Sequence, residues 1–145
     1  IYAWLPLIAW EFPKQEHLQY VENSQKSSHG YIRVSPFDPK NISLVAEIFS
    51  DFLQKNPVDG ILYHDDITLS DYEDNSAAAQ KMYTAWGFKD LSVLRNPNHP
   101  QQFKFAQYKT AYLDQFAAGI SQILATALMV KLFKQKNDAV GVGLA

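Results

Sequence analysis

Cysteine is absent from the 145 residues, so neither a disulfide framework nor a thiolate metal site can form. That absence leaves the redox compartment open. A basic stripe is also missing. The 13 Lys and Arg against 15 Asp and Glu give a formal charge of -2, and the bases are scattered, which argues against a nucleic-acid partner. The first residue is Ile, and neither a charged segment nor a cleavage site precedes the opening apolar run. A signal peptide is therefore not expected, and the chain reads as a piece of something longer. Internal repeats and low-complexity tracts are lacking too. What remains is the profile of one domain able to bury a moderate core.

One stretch organises the rest. Gly60-Ile61-Leu62-Tyr63 is a short apolar run led by a glycine turn, and it reads as a buried strand. Asp65, Asp66, Asp71, Glu73 and Asp74 follow, with no Lys or Arg among them. These acids fall at the strand's carboxyl end and in the loop after it, where parallel α/β folds bind ligands. Strand alternation predicts Ile61, Tyr63 and Asp65 on one face, with Leu62, His64 and Asp66 on the other. Acids packed this closely repel one another. A metal ion, a cationic ligand or paired acid/base work would each account for them.

The flanking sequence supplies the frame. Ile1 to Trp10 (IYAWLPLIAW) predicts a strand, with Pro6 imposing a bulge or break. Trp10 and Glu11 then sit at its carboxyl end, where Trp could stack on a sugar and Glu11 could accept a hydroxyl; the plainer alternative is a core Trp and a solvated Glu. Glu16 to Ser28 reads as a polar excursion loop, and Tyr31 to Val34 as a short strand. Asp38 as N-cap and Pro39 at the first helical position open a helix to about Gln54. Its apolar face is Ile42, Val45, Ile48, Phe49, Phe52 and Leu53, and Asn56-Pro57 ends it. Strand, helix, strand in this order is a βαβ unit with a parallel sheet.

Beyond the acids, Asn75 or Ser76 caps a helix from Ala77 to Trp86 that Gly87 stops. Lys89 to Gln102 reads as a loop. Phe103 to about Lys134 has a long helical pattern with a potential break near Gly119. Ser121, Gln122, Thr126 and Lys131 interrupt its apolar half, which favours a core helix over a membrane span. Ala139 to Ala145 (AVGVGLA) reads as the start of a further strand.

Three chemistries compete for the acidic stretch. Glycoside hydrolysis commonly uses two carboxyls, and Asp65 is the favoured acid, with Asp66 or Asp71 as its partner. A substrate-assisted route, with an N-acetyl group attacking, needs only the acid and a group that orients the amide. A solvated loop favouring the helix N-terminus suits Glu73 and Asp74 best. His64-Asp65-Asp66 offers metal donors, but neighbours on a strand diverge, and the EF-hand pattern lacks its sixth-position glycine. His17, His29 and His99 lie in polar stretches and read as exposed. Arg33 either pairs with one of the acids or lies at the surface.

RVSPFDP (33–39), a helix, and DGILYHDDITLSDYEDNS (59–76), with YAWLPLIAW at the start, resemble the carboxyl-terminal domain of bacterial poly-β-1,6-N-acetylglucosamine deacetylases of the PgaB/HmsF type. The resemblance runs from Ile1 to about Phe88, thins after Leu94, and is lost in the tail from about Ala125. It implies an α/β chain whose residues 1–145 are an incomplete fragment of a (β/α) TIM-type barrel, since a whole barrel needs roughly 200 residues or more. The implied activity is endo-hydrolysis of partially de-N-acetylated poly-β-1,6-N-acetyl-D-glucosamine in biofilm exopolysaccharide processing. The deacetylase domain would lie upstream. Asp65, Asp66 and Asp71 match the family's acidic groove as catalytic candidates, with Glu73 and Asp74 beside them. Trp10 and Tyr63 match aromatic positions, and Glu11, Arg33 and His64 complete the candidate substrate contacts. The resemblance implies no metal or other cofactor here, a divalent metal belonging to the deacetylase domain. It implies the polymer and export-machinery proteins as partners, and a periplasmic location at the outer membrane. A non-catalytic polysaccharide-binding module and a metal-dependent hydrolase stand as alternatives.

Overall fold

Asp38 has an extended backbone and its carboxylate accepts the amide hydrogen of Lys40, while Pro39 fills a helical position that needs no donor. These two residues start helix α1, Pro39–Lys55. Val45, Phe49 and Leu53, spaced by four, are its buried apolar row. Each contributes about 1.5–3 kcal/mol of burial. The computed structural model describes residues 1–12, 17–26 and 31–144. Glu16, Ser27 and Ser28 of the expected polar loop, and His29, expected to be exposed, lie outside the described residues, as does Ala145.

Strand β1, Tyr2–Leu5, precedes α1, and strand β2, Gly60–Tyr63, follows it. They pair in parallel, with Tyr2 opposite Gly60 and Leu5 opposite Tyr63, so the expected βαβ unit is present. Pro6 ends β1 after four residues, well short of Trp10. The Tyr31 to Val34 segment is not a strand. Val34 makes one antiparallel bridge to Tyr20 and donates its amide to the carbonyl of Ile8, so the chain crosses the sheet's end without a ladder.

Helix α2, Ala77–Ala85, begins at Ser76, whose hydroxyl accepts the amide of Ala79. It gives way at Gly87, whose φ of +98° suits glycine. Leu91–Leu94 forms a short 3-10 turn within the expected loop. Helix α3, Gln102–Leu144, runs unbroken through Gly119. It also takes in residues 139–144, correcting the expected strand. Among the described residues no strand lies beside this tail to share a ladder, whereas extending a helix satisfies each backbone group internally.

Two apolar clusters hold these elements. The first joins Leu7, Ile8 and Val34 to the α1 row and to Phe116, Ile120 and Leu124 of α3. The second is aromatic and joins Phe37, Tyr83, Phe88 and Phe105 around α2 and the start of α3. The core-helix reading of α3 thus holds from Phe105 to Leu124. Beyond it, Met129 and Phe133 are 70% and 69% exposed. By length and composition alone, Gln102–Asp138 suffices to cross a membrane. The sheet is covered on one face only: Tyr63 packs edge-on against Phe49, while Tyr2, Trp4 and Leu62 are exposed on the other.

Candidate active site

β2 ends at Tyr63, and the two aspartates that follow separate. Asp65 is exposed, whereas Asp66 is 2% exposed. Pro6 has turned the chain after β1 so that three consecutive amides point at Asp66. Leu7 donates to both of its carboxylate oxygens at 3.0 Å, and Ile8 and Ala9 each donate to Oδ2 at 2.6 Å. Successive amides arranged this way form an anion-holding concavity, so Asp66 is stabilised without a cation.

The rest of the loop is cross-braced. The Arg33 guanidinium lies 2.9 Å from Glu73 and also donates to the carbonyls of Thr68 and Tyr31. Glu73 further accepts the amide of Ser70 at 3.1 Å. Burial pushes its carboxyl up, but the Ser70 amide and Arg33 outweigh burial and hold it below the usual range. Asp74 is fully buried. It accepts hydrogen bonds from the Ser35 hydroxyl (2.6 Å), the Glu22 amide (3.0 Å) and both the amide and the hydroxyl of Ser76 (2.8 and 3.0 Å). Burial prevails over those donors and raises its carboxyl above the usual range. Asp74 therefore supports the α2 cap through Ser76. Its own amide donates to the Tyr83 hydroxyl at 3.0 Å, and burial together with the Asp74 charge raises that phenol.

Lys109 approaches the same loop from α3. Its ammonium donates to the carbonyls of Ser70 (2.9 Å) and Glu73 (2.7 Å), and the residue is 4% exposed. Burial pushes the amine down to about 8, against the pull of Asp71, Glu73 and Asp74. The acidic stretch holds no base of its own, and its compensation comes from outside: Arg33 takes the first of its two sequence alternatives by pairing with Glu73, and Lys109 was not foreseen. Arg33 and Lys109 come from distant segments and brace it on two sides.

A cleft of about 370 Å³ opens over these groups, lined by Tyr31, Arg33, Asp65, Asp66, Thr68, Leu69, Ser70 and Glu73. Of the sequence candidates, Arg33, Asp65, Asp66 and Glu73 come together there. Asp71 is exposed on the loop and outside the lining. Asp74 faces inward. Trp10 packs against Phe49 and donates its indole hydrogen to the Leu7 carbonyl at 3.1 Å. The Tyr63 hydroxyl meets that of Ser121 at 2.8 Å, on the helix side of the sheet. The His64 ring lies 4.4 Å from that of Trp4, and Glu11 is exposed away from the cleft. Among the described residues no three His, Asp or Glu side chains group as metal ligands.

Sequence reasoning missed Tyr31, Thr68, Leu69 and Ser70 as lining residues, and Lys109 as a brace. Lys109 had a readable signal: it stands four residues after Phe105 and seven before Phe116, on the buried row of a helix where a lysine needs acceptors.

Carboxylates gathered beyond the carboxyl end of a parallel strand mark an α/β protein with a ligand cleft above its sheet. The family described as hypothetical glycosyl hydrolase family 13 (GHL13) matches residues 1–137, and the chain belongs to it. It is 38% identical over 128 residues to the poly-beta-1,6-N-acetyl-D-glucosamine N-deacetylases of Escherichia coli K12 and O157:H7. That match takes in 83% of this chain and 19% of the relatives, so the chain spans about a fifth of their length. The PgaB (BpsB) glycoside hydrolase domain of Bordetella bronchiseptica is similar in fold, with a TM-score of 0.76 and 27% identity over 87% of this chain and 38% of that one. The resemblance read from RVSPFDP and DGILYHDDITLSDYEDNS is borne out.

Proposed function

We propose that this chain is part of a (β/α)-barrel glycoside hydrolase domain, in a protein whose other domain is a deacetylase. In this reading it binds partially de-N-acetylated poly-β-1,6-N-acetyl-D-glucosamine and cleaves within it. The family membership and the deacetylase and glycoside hydrolase relatives support this reading. By the same resemblance, the protein acts in the periplasm at the outer membrane, with export machinery as its neighbour.

The observation that carries the chemistry is the division between Asp65 and Asp66. Asp66 gives its oxygens to three amides and shapes the cleft floor. Asp65 is exposed in the cleft and is assigned the proton donation to the leaving glycosidic oxygen. Asp71, the other exposed aspartate of the loop, is assigned the partner's role as nucleophile or base. Arg33 and Glu73 fix the cleft wall. With Glu73 paired, Asp74 buried and Asp66 held by three amides, the exposed carboxylates left to meet a ligand are Asp65 and Asp71. A glucosamine unit with a free amine answers them with an ammonium, and a fully acetylated unit does not.

The test is product analysis. This fragment alone is not required to be active, so oligomers of matched length, partially deacetylated or fully acetylated, are incubated with the full-length domain and the products sized by mass spectrometry, with and without a chelator. Internal cleavage of the deacetylated oligomer, insensitive to the chelator, is expected. Binding without cleavage would instead make the domain a polysaccharide holder, and loss of cleavage on chelation would make it a metal-dependent hydrolase.

A further inference from the structure

The loop from Ser70 to Asp74 carries Asp71 and forms one wall of the cleft, yet it contains no helix or strand. What holds it is a side chain from 36 to 39 residues further along the sequence. The ammonium of Lys109 donates to the first and fourth carbonyls of this stretch, Ser70 and Glu73. The amide of Glu73 returns to the carbonyl of Ser70, so the turn is closed on itself and bolted to α3 at both ends. Behind the ammonium, 4.6 Å away, lies the fully buried Phe105 ring, itself edge-on to Tyr83 and Phe88. The lysine is thus seated on the aromatic cluster, and α3 cannot shift without moving the loop.

We infer that Lys109 is a positioning residue, which fixes the Ser70–Asp74 turn on α3 and thereby sets where the cleft-lining Ser70 and Glu73, and Asp71 between them, stand relative to Asp65. The charged and titratable groups around its amine are Asp71, Glu73 and Asp74 from the loop, with Arg33 beyond Glu73. Its ammonium is the cation that faces the loop from the α3 side. Its removal both unties the turn and leaves those carboxyls with less opposing charge. The link to polymer binding rests on the function proposed above; the link to loop order does not.

The experiment reads hydrogen exchange, amide by amide, in the full chain and in Lys109→Met and Lys109→Arg, alongside affinity for a partially deacetylated glucosamine oligomer. Two carbonyls lose a charged donor in Lys109→Met. The amides of Ser70 and Glu73 are then expected to exchange about tenfold faster or more, with the rows of α1 unchanged and oligomer affinity reduced. Lys109→Arg, which keeps the charge and two donors, restores much of the protection. Unchanged loop exchange in Lys109→Met, or exchange rising equally in α1, would overturn the assignment. Should Lys109→Met not fold, Lys109→Gln carries the same readout. A parent chain that fails to bind the oligomer would count against the proposed function, while loop exchange would still decide the role of Lys109.

Discussion

At the scale of residues, adjacent aspartates have opposite surroundings, Asp65 exposed and Asp66 buried on three amides, because the chain before them turns at Pro6. Asp66→Asn puts an amide group where three backbone N–H groups require an acceptor. It is expected to lower stability by about 2–4 kcal/mol, read as a fall in the urea midpoint at constant slope; an unchanged midpoint would count against the three-amide seat. Lys109 gives a second prediction, in pH. Its folded value of about 8 lies below the ordinary 10.5, so the unfolded chain holds that proton more tightly. Stability from this group therefore rises as pH climbs from about 8 to 10.5, and is flat below. The stability difference between the parent and Lys109→Met should change across that window, and a constant difference would contradict it. The partners of Asp66 and Lys109 were not legible in sequence, although the place of Lys109 on a buried helix row was. The acidic run showed that charges gather, but Asp66 meets its donors 57 to 59 residues away and Lys109 its acceptors 36 to 39 away. Local spacing does not encode such pairings.

At the scale of elements, local chemistry was enough wherever it was self-contained. Asp38-Pro39, the four-residue apolar spacing of α1, Ser76 and Gly87 each act within a few residues of themselves, and their boundaries were readable. Tyr31 to Val34 has strand composition, yet its partner offers only the bridge at Tyr20. The tail is rich in Val and Gly, which suggested a strand, and continues α3 because a helix needs no neighbour. Gly119 was weighed as a break for its propensity, whereas α3 continues through it with packing on either side from Phe116 and Ile120. A Cβ there would meet nothing within 4 Å. Gly119→Ala is therefore expected to stabilise the chain by about 0.5–1 kcal/mol. Thermal unfolding checks this, and a lowered midpoint would mean that the helix bends or opens at that point.

At the scale of the whole molecule, the sheet has one covered face, and α3 carries Met129, Val130, Leu132 and Phe133 into solvent. Parallel sheets are normally covered on both faces, and apolar surface of this extent drives association. The chain at micromolar concentration is expected to self-associate, as read by sedimentation velocity; a monomer with one cooperative unfolding transition would contradict that. The family was legible because the residues that carry it, from Arg33 to Pro39 and from Asp59 to Ser76, build the cleft's wall and floor and cluster in two short runs. The α/β class was legible from the βαβ order, while the uncovered face shows in no local pattern. The account stands on Asp65 as the acid and Asp66 as its structural neighbour. Its most direct test, in the full-length domain, is the rate of internal cleavage of a partially deacetylated β-1,6-glucosamine oligomer by Asp65→Asn beside the parent, with both unfolding midpoints measured in the same buffer. The predicted result is a rate lower by roughly 100-fold or more at an unchanged midpoint; cleavage by Asp65→Asn at the parent rate would contradict the account.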